Sequence, residues 1–546
     1  MAKVNGSQIL ARALRKQRVD TMFYIMGGPM LAAESACIEE GIRAIDVRHE
    51  QAAAMMAHAW GRMLNRVGVC MAASGPGTTN LVTGVVNAWA DAAPLLAIGG
   101  SAPAAAAGRG QFQEMDQVGV FKPITKWAER VLDPRRIPDM VATAMRQAVS
   151  GCPGPVYLDM PGDVLYQEID EDQVVYPDPA RSQARARPTG DAESVREAIR
   201  LLERAERPIL ISGSGILWSE AWDELRRFVE LAGIPFYTTP QGRGVIPDDH
   251  ELSFLTARSS AFSEADLLLV VGTRANYVSG HLTPPRFRAD AKLIQVNIDP
   301  GAIGLTRSCD SGIVGDAKVV LKQLAAEGEG RLNPKRYSAW VKHLAEIDRA
   351  KTAQAEAKMS TDQAPIHPLR LCKEVRDFLD RDAILVVDGQ EILNYGRQSI
   401  PTFVPGHRLN SGAFGTMGVG LPFGIGAKVA RPDKQVLVLH GDGSFGLNAM
   451  ELDTAVRFKI PVVTVISLNG GWTGDAKREK PGRDLGYTRY DKMAEGLGCH
   501  GEYVEDAANI RPALERAFRA GIPALVNVKT DFRARATTAR FSVYTT

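Results

Sequence analysis

Cysteine is sparse in this 546-residue chain and never closely paired: Cys37, Cys70, Cys152, Cys309, Cys372 and Cys499 make no C-x-x-C. That speaks against a cysteine-based zinc site and a disulfide framework, and it points to a reducing, cytoplasmic compartment. Excess charge is missing too. Lys and Arg total 65 against 63 Asp and Glu, a formal charge of +2. Neither nucleic acid nor an anionic membrane has an electrostatic claim as the main partner. No apolar run is long enough to cross a bilayer. The first residues, MAKVNGSQILARALRKQ, carry an amphipathic helical pattern instead of the apolar core of a signal peptide. Tandem repeats and low-complexity tracts are also lacking. There remains an ordinary globular composition, with a length that suits about three domains.

The most informative stretch runs from Gly441 to Gly471, GDGSFGLNAMELDTAVRFKIPVVTVISLNGG. Gly441-Asp442-Gly443 follows an apolar run, Val436 to Leu439, that reads as a buried strand. The segment behind it is expected to be helical, with Leu447, Met450, Leu452, Ala455 and Val456 as its apolar stripe. A second buried strand, Val462 to Ile466, leads to Leu468-Asn469-Gly470-Gly471. Parallel strands deliver both ends to one edge of the sheet, where open α/β folds bind ligands. Asp442 offers a carboxylate there, Asn469 an amide oxygen and Gly471 an uncrowded carbonyl. Such hard oxygen donors suit Mg²⁺ or Ca²⁺, and Mg²⁺ with few protein ligands usually holds a phosphate as well. The helix start after Gly443 and Ser444 would supply that phosphate with N–H donors. A bare GDG often marks only a turn; the Asn-Gly pattern at the end of the next strand is what raises this one.

Elsewhere helices alternate with short buried strands. Thr21 to Ile25 ends at Gly27-Gly28, and Ala44 to Val47 is followed by Arg48-His49-Glu50-Gln51 and an alanine-rich helix through Trp60. Val67 to Ala72 leads into the tight turn Ser74-Gly75-Pro76-Gly77-Thr78-Thr79-Asn80, and Leu95 to Ile98 and Val156 to Leu158 complete a sheet. Glu50, where a strand meets a helix, could simply cap that helix. The polar stretch from about Tyr166 to Thr189 reads as a linker. Beyond it, Pro208 to Ser212, Leu267 to Val271 and Leu293 to Ile298 are strands of a second unit, whose Gly213-Ser214-Gly215 is as easily a tight turn as a nucleotide loop. A charged segment from about Gly328 to Ala364 reads as a solvated helix or connector. A third unit begins near Pro365, with Ala383 to Val387 leading into Asp388-Gly389-Gln390.

The Gly441–Gly471 stretch resembles the diphosphate-binding motif of thiamine diphosphate (ThDP) enzymes, with Leu468 in place of the first of two usual asparagines and Asn469 at the ligand position. RHEQAAAMMA resembles the segment that carries this family's glutamate. SGPGTTNLVTGVVNAWADAAPLLAIGG resembles its pyrimidine-domain signature across nearly thirty residues. Over essentially its whole length the chain is similar to ThDP-dependent decarboxylases and lyases of the acetolactate synthase superfamily.

The resemblance implies a three-domain α/β architecture, each domain a mostly parallel sheet flanked by helices: a pyrimidine-binding domain (1–165), a central domain (190–328) and a diphosphate-binding domain with a C-terminal tail (365–546). It implies ThDP and Mg²⁺ as cofactors, with Gly28, Asn80, Gln390, Gly415, Met417, Asp442, Gly443, Ser444, Asn469 and Gly471 serving them, and Asp442, Asn469 and Gly471 as metal ligands. In this family the position of Met417 wedges the cofactor into a bent shape. Glu50 is the expected catalytic carboxylate. It would share a proton with the aminopyrimidine N1′, so that the 4′-imino group can take the thiazolium C2 proton. The resemblance also places the active site between subunits, Glu50 of one chain serving ThDP held by another, in a homodimer or homotetramer.

Within the superfamily the central segments GRGVIPDDH, ARSSAFSEADLLLVVGTRANY and PPRFRADAKLIQVNID look like those of 2-hydroxyacyl-CoA lyases and oxalyl-CoA decarboxylases. Phe112-Gln113 matches the lyases, whereas oxalyl-CoA decarboxylases tend to carry Tyr-Glu; both residues are expected at the reacting end. Arg397 and Arg408 are the candidates for an acyl-CoA's phosphates, with the tail arginines Arg533, Arg535 and Arg540 as further ones. Cys152 stands where these families commonly have an arginine associated with nucleotide binding, although Arg274 is kept, so bound FAD or ADP is not expected. The implied activity is cleavage of a 2-hydroxyacyl-CoA to formyl-CoA and an aldehyde or ketone, or the reverse condensation. Acetolactate synthase-like carboligation and oxalyl-CoA decarboxylation are the alternatives. A non-catalytic ThDP-binding subunit is a third class, disfavoured by the presence of Glu50, Asp442 and Asn469 together.

Overall fold

A computed structural model describes residues 2–182, 186–472, 477–479 and 481–536. Three open parallel sheets organise the chain. The first has six strands in the spatial order Arg43–Asp46, Thr21–Tyr24, Gly68–Ala72, Leu95–Ser101, Pro155–Pro161 and Ala128–Arg130. The third has six in the order Arg408–Leu409, Ile384–Asp388, Val436–Gly441, Val463–Leu468, Ala524–Lys529 and His500–Val504. Numbered along the chain within each unit, both sheets run 2-1-3-4-6-5 if the N-terminal Lys3–Asn5 is set aside and strands are ranked by first appearance. The central sheet has five: Phe236–Thr238, Pro208–Ser212, Leu267–Val271, Lys292–Asn297 and Ser311–Val314. Central strands such as Leu267–Val271 and Val463–Leu468 are buried along their whole length, as sheets covered by helices on both faces require.

The first and third units share one core. Helix Glu50–Leu64 lies on helix Gly420–Ala430, and residues of both belong to a single buried cluster that includes Met55, Met56, Phe423 and Ile425. The approach is close because Gly426 faces the backbone of Met56: a Cβ there would lie 2.3 Å from the Met56 carbonyl oxygen. His58 packs edge-on against Phe423 at 5.0 Å between ring centres. The contact brings the helix that begins at Glu50 against the unit that holds Asp442.

Several sequence expectations change in detail. The segment behind Gly441-Asp442-Gly443 is two short helices, Asp442–Gly446 and Glu451–Arg457, and not one amphipathic helix. Leu447 and Met450 fall in the break and are 51% and 48% exposed, while Leu452 and Ala455 are buried as expected. The stretch read as a linker after Tyr166 contains the strand Glu168–Asp170, which pairs antiparallel with Lys3–Asn5. The charged connector before the third unit is a 22-residue helix, Ser338–Met359, seated on the central unit through the buried Trp340 and Leu344. Among the described residues, no helix is long and apolar enough to cross a membrane.

Candidate active site

At the end of strand Val436–Gly441 the chain turns sharply, and Asp442 is carried into the sheet edge, 3% exposed. Its Oδ2 accepts from the backbone N–H groups of Gly470 (2.7 Å) and Gly471 (3.1 Å), at the end of the next strand, and its Oδ1 from that of Gly443 (2.8 Å). Burial pushes the Asp442 carboxyl up to about 6, against the pull of these N–H donors. The Gly471 N–H is shared: the Asn469 amide oxygen also accepts from it at 3.1 Å. Asp442 and Asn469 oxygens thus converge on one backbone atom. Gly470–Trp472 is itself held against 483–485 by N–H···O bonds from Trp472 to Arg483 (2.7 Å) and from Leu485 to Gly470 (2.9 Å).

Around this pair glycines let the chain pack closely. A Cβ on Gly443 would lie 2.5 Å from the Trp472 ring, and one on Gly389 3.1 Å from the Gly441 nitrogen. Gly389 has φ +109°, a conformation that suits glycine. Ser444 Oγ donates to the Gly441 carbonyl (3.0 Å) and lies 3.2 Å from His440 Nδ1. Asp388, buried and pushed up to about 6 by that burial, accepts from the N–H groups of Gly389 (2.6 Å), Gly418 and Gly420 (both 2.9 Å). It therefore ties the Gln390 turn to the loop carrying Gly415 and Met417. Gly415, with φ +73°, is exposed, and Met417 is half-buried.

The donor set fits a divalent cation with a diphosphate: two side-chain oxygens of hard type, from Asp442 and Asn469, converge at one sheet edge. Among the described residues no group of three or more His, Cys, Asp and Glu gathers elsewhere as a competing metal site. One expected ingredient is absent. The helix Asp442–Gly446 has only five residues, so the phosphate donors would be the N–H groups of the turn rather than the end of a long helix.

The first unit brings its candidates together at the corresponding sheet edge. Glu50 begins helix Glu50–Leu64, but the cap is His49, whose Nδ1 accepts from the Gln51 N–H at 3.2 Å. The Glu50 carboxylate is instead held by the Asn80 amide (Nδ2 to Oε2, 2.9 Å), beside Gly77, where an added Cβ would lie 3.3 Å from Oε1. Glu50 is thus not the N-cap, although it stays the acidic residue of the helix's first turn. Gln113, at φ +58°, accepts from Ser74 Oγ at 2.5 Å, and Ser74 Oγ also lies within hydrogen-bond distance (3.1 Å) of the Gly28 carbonyl, to which the Ser74 N–H donates. Gln117, which the sequence did not single out, is the buried anchor of this edge. It accepts from the Gly75 N–H (2.7 Å) and donates to the Gly100 carbonyl and Asp159 (both 2.8 Å). Phe112 next to it is 84% exposed.

The two arginines expected to meet phosphates part company. Arg408 is a correction: it is 2% exposed, and its Nη2 donates to the carbonyls of Gly396 (2.9 Å) and Ile400 (2.7 Å), so it braces a turn and cannot reach a ligand. Arg397 is half-buried on helix Glu391–Ser399, within reach of Asn410 Oδ1 (3.4 Å). It belongs to a cationic seam between the central and third units that sequence separation had hidden. Arg243 pairs with Asp248 (2.7 Å) and donates to the Arg397 carbonyl (2.5 Å). Arg258 and Arg286 both lie over the Phe262 ring, at 5.0 and 5.8 Å. Burial, then the neighbouring Arg286, Arg397 and Arg243, lowers the Arg258 guanidinium to about 10. From the same face Tyr277 donates its hydroxyl to the Ala413 carbonyl (2.6 Å), next to Phe414 and Gly415. Of the tail arginines, Arg533 pairs with Asp531 (3.1 Å) and Arg535 donates to local carbonyls, while Arg540 lies outside the described residues. Cys152 lines a cavity of about 570 Å³ at the strand ends of the central unit, where Arg274 Nη2 meets its sulfur at 3.4 Å.

Comparison with known proteins places the chain in a family. Three family profiles match: Thiamine pyrophosphate enzyme, N-terminal TPP binding domain, over residues 4–120; the central domain of the same enzymes over 195–324; and their C-terminal TPP binding domain over 394–528. The chain is 35% identical to the acetolactate synthase large subunit of Mycobacterium tuberculosis, over 97% of this chain and 96% of that one. It is 35% identical to the 2-hydroxyacyl-CoA lyase of Arabidopsis thaliana, over 98% and 97%. It is 34% identical to the oxalyl-CoA decarboxylase of Escherichia coli K12, over 96% and 95%.

Proposed function

The chain belongs to the thiamine diphosphate (thiamine pyrophosphate) enzymes of the acetolactate synthase superfamily, and from that premise we propose that it is a carbon–carbon lyase of the 2-hydroxyacyl-CoA type. Relatives of nearly equal identity carry three different activities in their names, so identity does not choose among them. The observation that carries the choice is the seam of Arg243, Arg258, Arg286 and Arg397 beside the loop 410–418. Four arginines gathered on one seam, of which Arg243 also pairs with Asp248 (2.7 Å), attract anionic groups. The phosphates of a thioester's coenzyme A are such anions, and they lie far from the reacting carbon. Binding energy from that remote handle can be used at the reacting centre. A small free 2-oxoacid carries no such remote handle.

In this reading Asp442, Asn469 and the Gly471 carbonyl hold Mg²⁺, and the turn at Gly443 and Ser444 takes the diphosphate. ThDP, when bound, supplies a nucleophilic carbon and an electron sink for the bond that is made or broken. Glu50 holds a proton at the pyrimidine nitrogen, with Asn80 fixing its carboxylate. Gln113, locked by Ser74, and Phe112 line the reacting end. Phe112, Phe414 (53%), Leu447 and Met450 are exposed apolar side chains, and a second copy of the chain would cover them and complete the site.

Incubation with ThDP, Mg²⁺ and a panel of 2-hydroxyacyl-CoAs should release formyl-CoA and a carbonyl product, seen by mass spectrometry, with the free 2-hydroxyacids untouched. Conversion of pyruvate to acetolactate with no thioester accepted would overturn the lyase reading and leave the cofactor reading standing. Release of formyl-CoA and CO₂ from oxalyl-CoA alone would move it to the decarboxylase.

A further inference from the structure

The turn that presents Glu50 is held by a carboxylate from another unit of the chain. Glu451 opens the short helix Glu451–Arg457 and is 1% exposed. Its Oε1 accepts from the backbone N–H groups of Arg48 and His49, each at 3.1 Å. Its Oε2 lies 3.3 Å from the Arg48 nitrogen and accepts from the Thr454 hydroxyl at 2.6 Å. Arg48 and His49 are the two residues directly before Glu50, and their N–H groups lie upstream of the first helical turn, where no intrahelical acceptor exists. Glu451 supplies the acceptor these N–H groups lack within the helix, and losing it removes what fixes the turn just ahead of Glu50.

A second contact runs beside the first. Gln51 Nε2 donates to Asn448 Oδ1 (2.9 Å), and Asn448 Nδ2 donates to the Gly418 carbonyl (2.7 Å) in the loop that carries Gly415 and Met417. The residues on either side of Glu50 are thus both anchored to the segment that follows Asp442. The outer ion pairs between the same segments, Arg457 with Asp46 (3.0 Å) and Arg48 with Asp453 (3.7 Å), are partly exposed and contribute little to geometry. Glue between units would not need a buried carboxylate, and burial makes this one expensive, pushing it up to about 7.

We propose that Glu451 is a positioning residue for Glu50, fixing the strand-to-helix turn so that the Glu50 carboxylate meets the cofactor's pyrimidine at the right angle. The inference rests on the reading of Glu50 as the activating carboxylate. Glu451→Gln keeps the reach and one oxygen that can take both N–H groups, whereas Glu451→Asp keeps the charge but falls one methylene short. Misplacement by about 1 Å can cost about 10²-fold in rate. Three quantities are to be measured: ThDP affinity by calorimetry, exchange of the ThDP C2 proton, and amide exchange at Arg48 and His49. Glu451→Asp should bind ThDP within about twofold of wild type, lose about tenfold or more of C2 exchange, and expose the two amides. Glu451→Gln should stay near wild type in all three. Wild-type C2 exchange in Glu451→Asp would overturn the proposal, as would ThDP affinity and C2 exchange falling together in both variants. Glu50→Gln serves as the control: if it exchanges C2 at the wild-type rate, the reading of Glu50 fails, and if it is slow while Glu451→Asp is not, only the positioning role fails.

Discussion

Asp442 illustrates how one carboxylate can organise a site before any ligand arrives. Its three backbone donors come from two strand ends, and it is held in the spot where Asn469 also points. Asp442→Ala should therefore abolish ThDP binding in calorimetry while leaving the circular dichroism spectrum of the fold intact, since the residue sits at a sheet edge. Wild-type affinity in that variant would remove the metal assignment. Glu451 gives a pH signature of its own. Burial pushes its carboxyl up to about 7, above the ordinary glutamate value near 4.5, so the native state holds this proton longer than the unfolded chain does. The stability it carries is full below about pH 4.5 and is lost as pH rises through about 7. The groups facing it are the Arg48 and His49 turn, and Thr454 and Arg457 on its own helix. Glu451→Gln does not titrate, so in paired denaturant melts it should gain on wild type across that window by on the order of 3 kcal/mol. A difference that is flat with pH would contradict the burial argument.

The elements differ in how far the amino-acid sequence revealed them. Several interior parallel strands read plainly, because both faces are covered and apolar residues fit; Pro208–Ser212 and Leu267–Val271 fall where the apolar runs stand, but the interior strand Ala524–Lys529 was missed. Edge strands were missed for the converse reason. Ser311–Val314 alternates buried and exposed residues and Ala128–Arg130 has only three, too little pattern to separate from loop. The single helix expected after Asp442 failed because Leu447 and Met450, apolar but exposed, imitated a core stripe. Asp442, Asn469 and Glu50 were legible from strand-end position and motif. Arg408 was misjudged because its partners are backbone carbonyls, and Glu451 was invisible because its partners lie about 400 residues away in sequence. One packing prediction belongs at this scale. Gly426→Val would drive a side chain into the Met56 carbonyl, 2.3 Å from the Cβ position. It should lower the melting temperature and slow C2 exchange together, by parting the helix that starts at Glu50 from the third unit. A variant with wild-type melting and exchange would show that the helix contact does not set the site.

At the scale of the whole molecule, the first and third sheets have the same strand order and meet through two helices, and each contributes half of the candidate machinery at its own strand ends. On the proposed reading, Glu50 of one chain and Asp442 of another act in one site across a pair of chains. Mixing settles whether they do. Glu50→Gln chains and Asp442→Ala chains, each inactive alone, are unfolded, combined in equal amounts and refolded, and C2 proton exchange of ThDP is followed by NMR. A site built from Glu50 of one chain and Asp442 of another predicts recovery to about a quarter of the wild-type signal, since random pairing makes half the dimers mixed and each mixed dimer holds one intact site. No recovery from a mixture shown to contain mixed dimers would contradict the account at its centre.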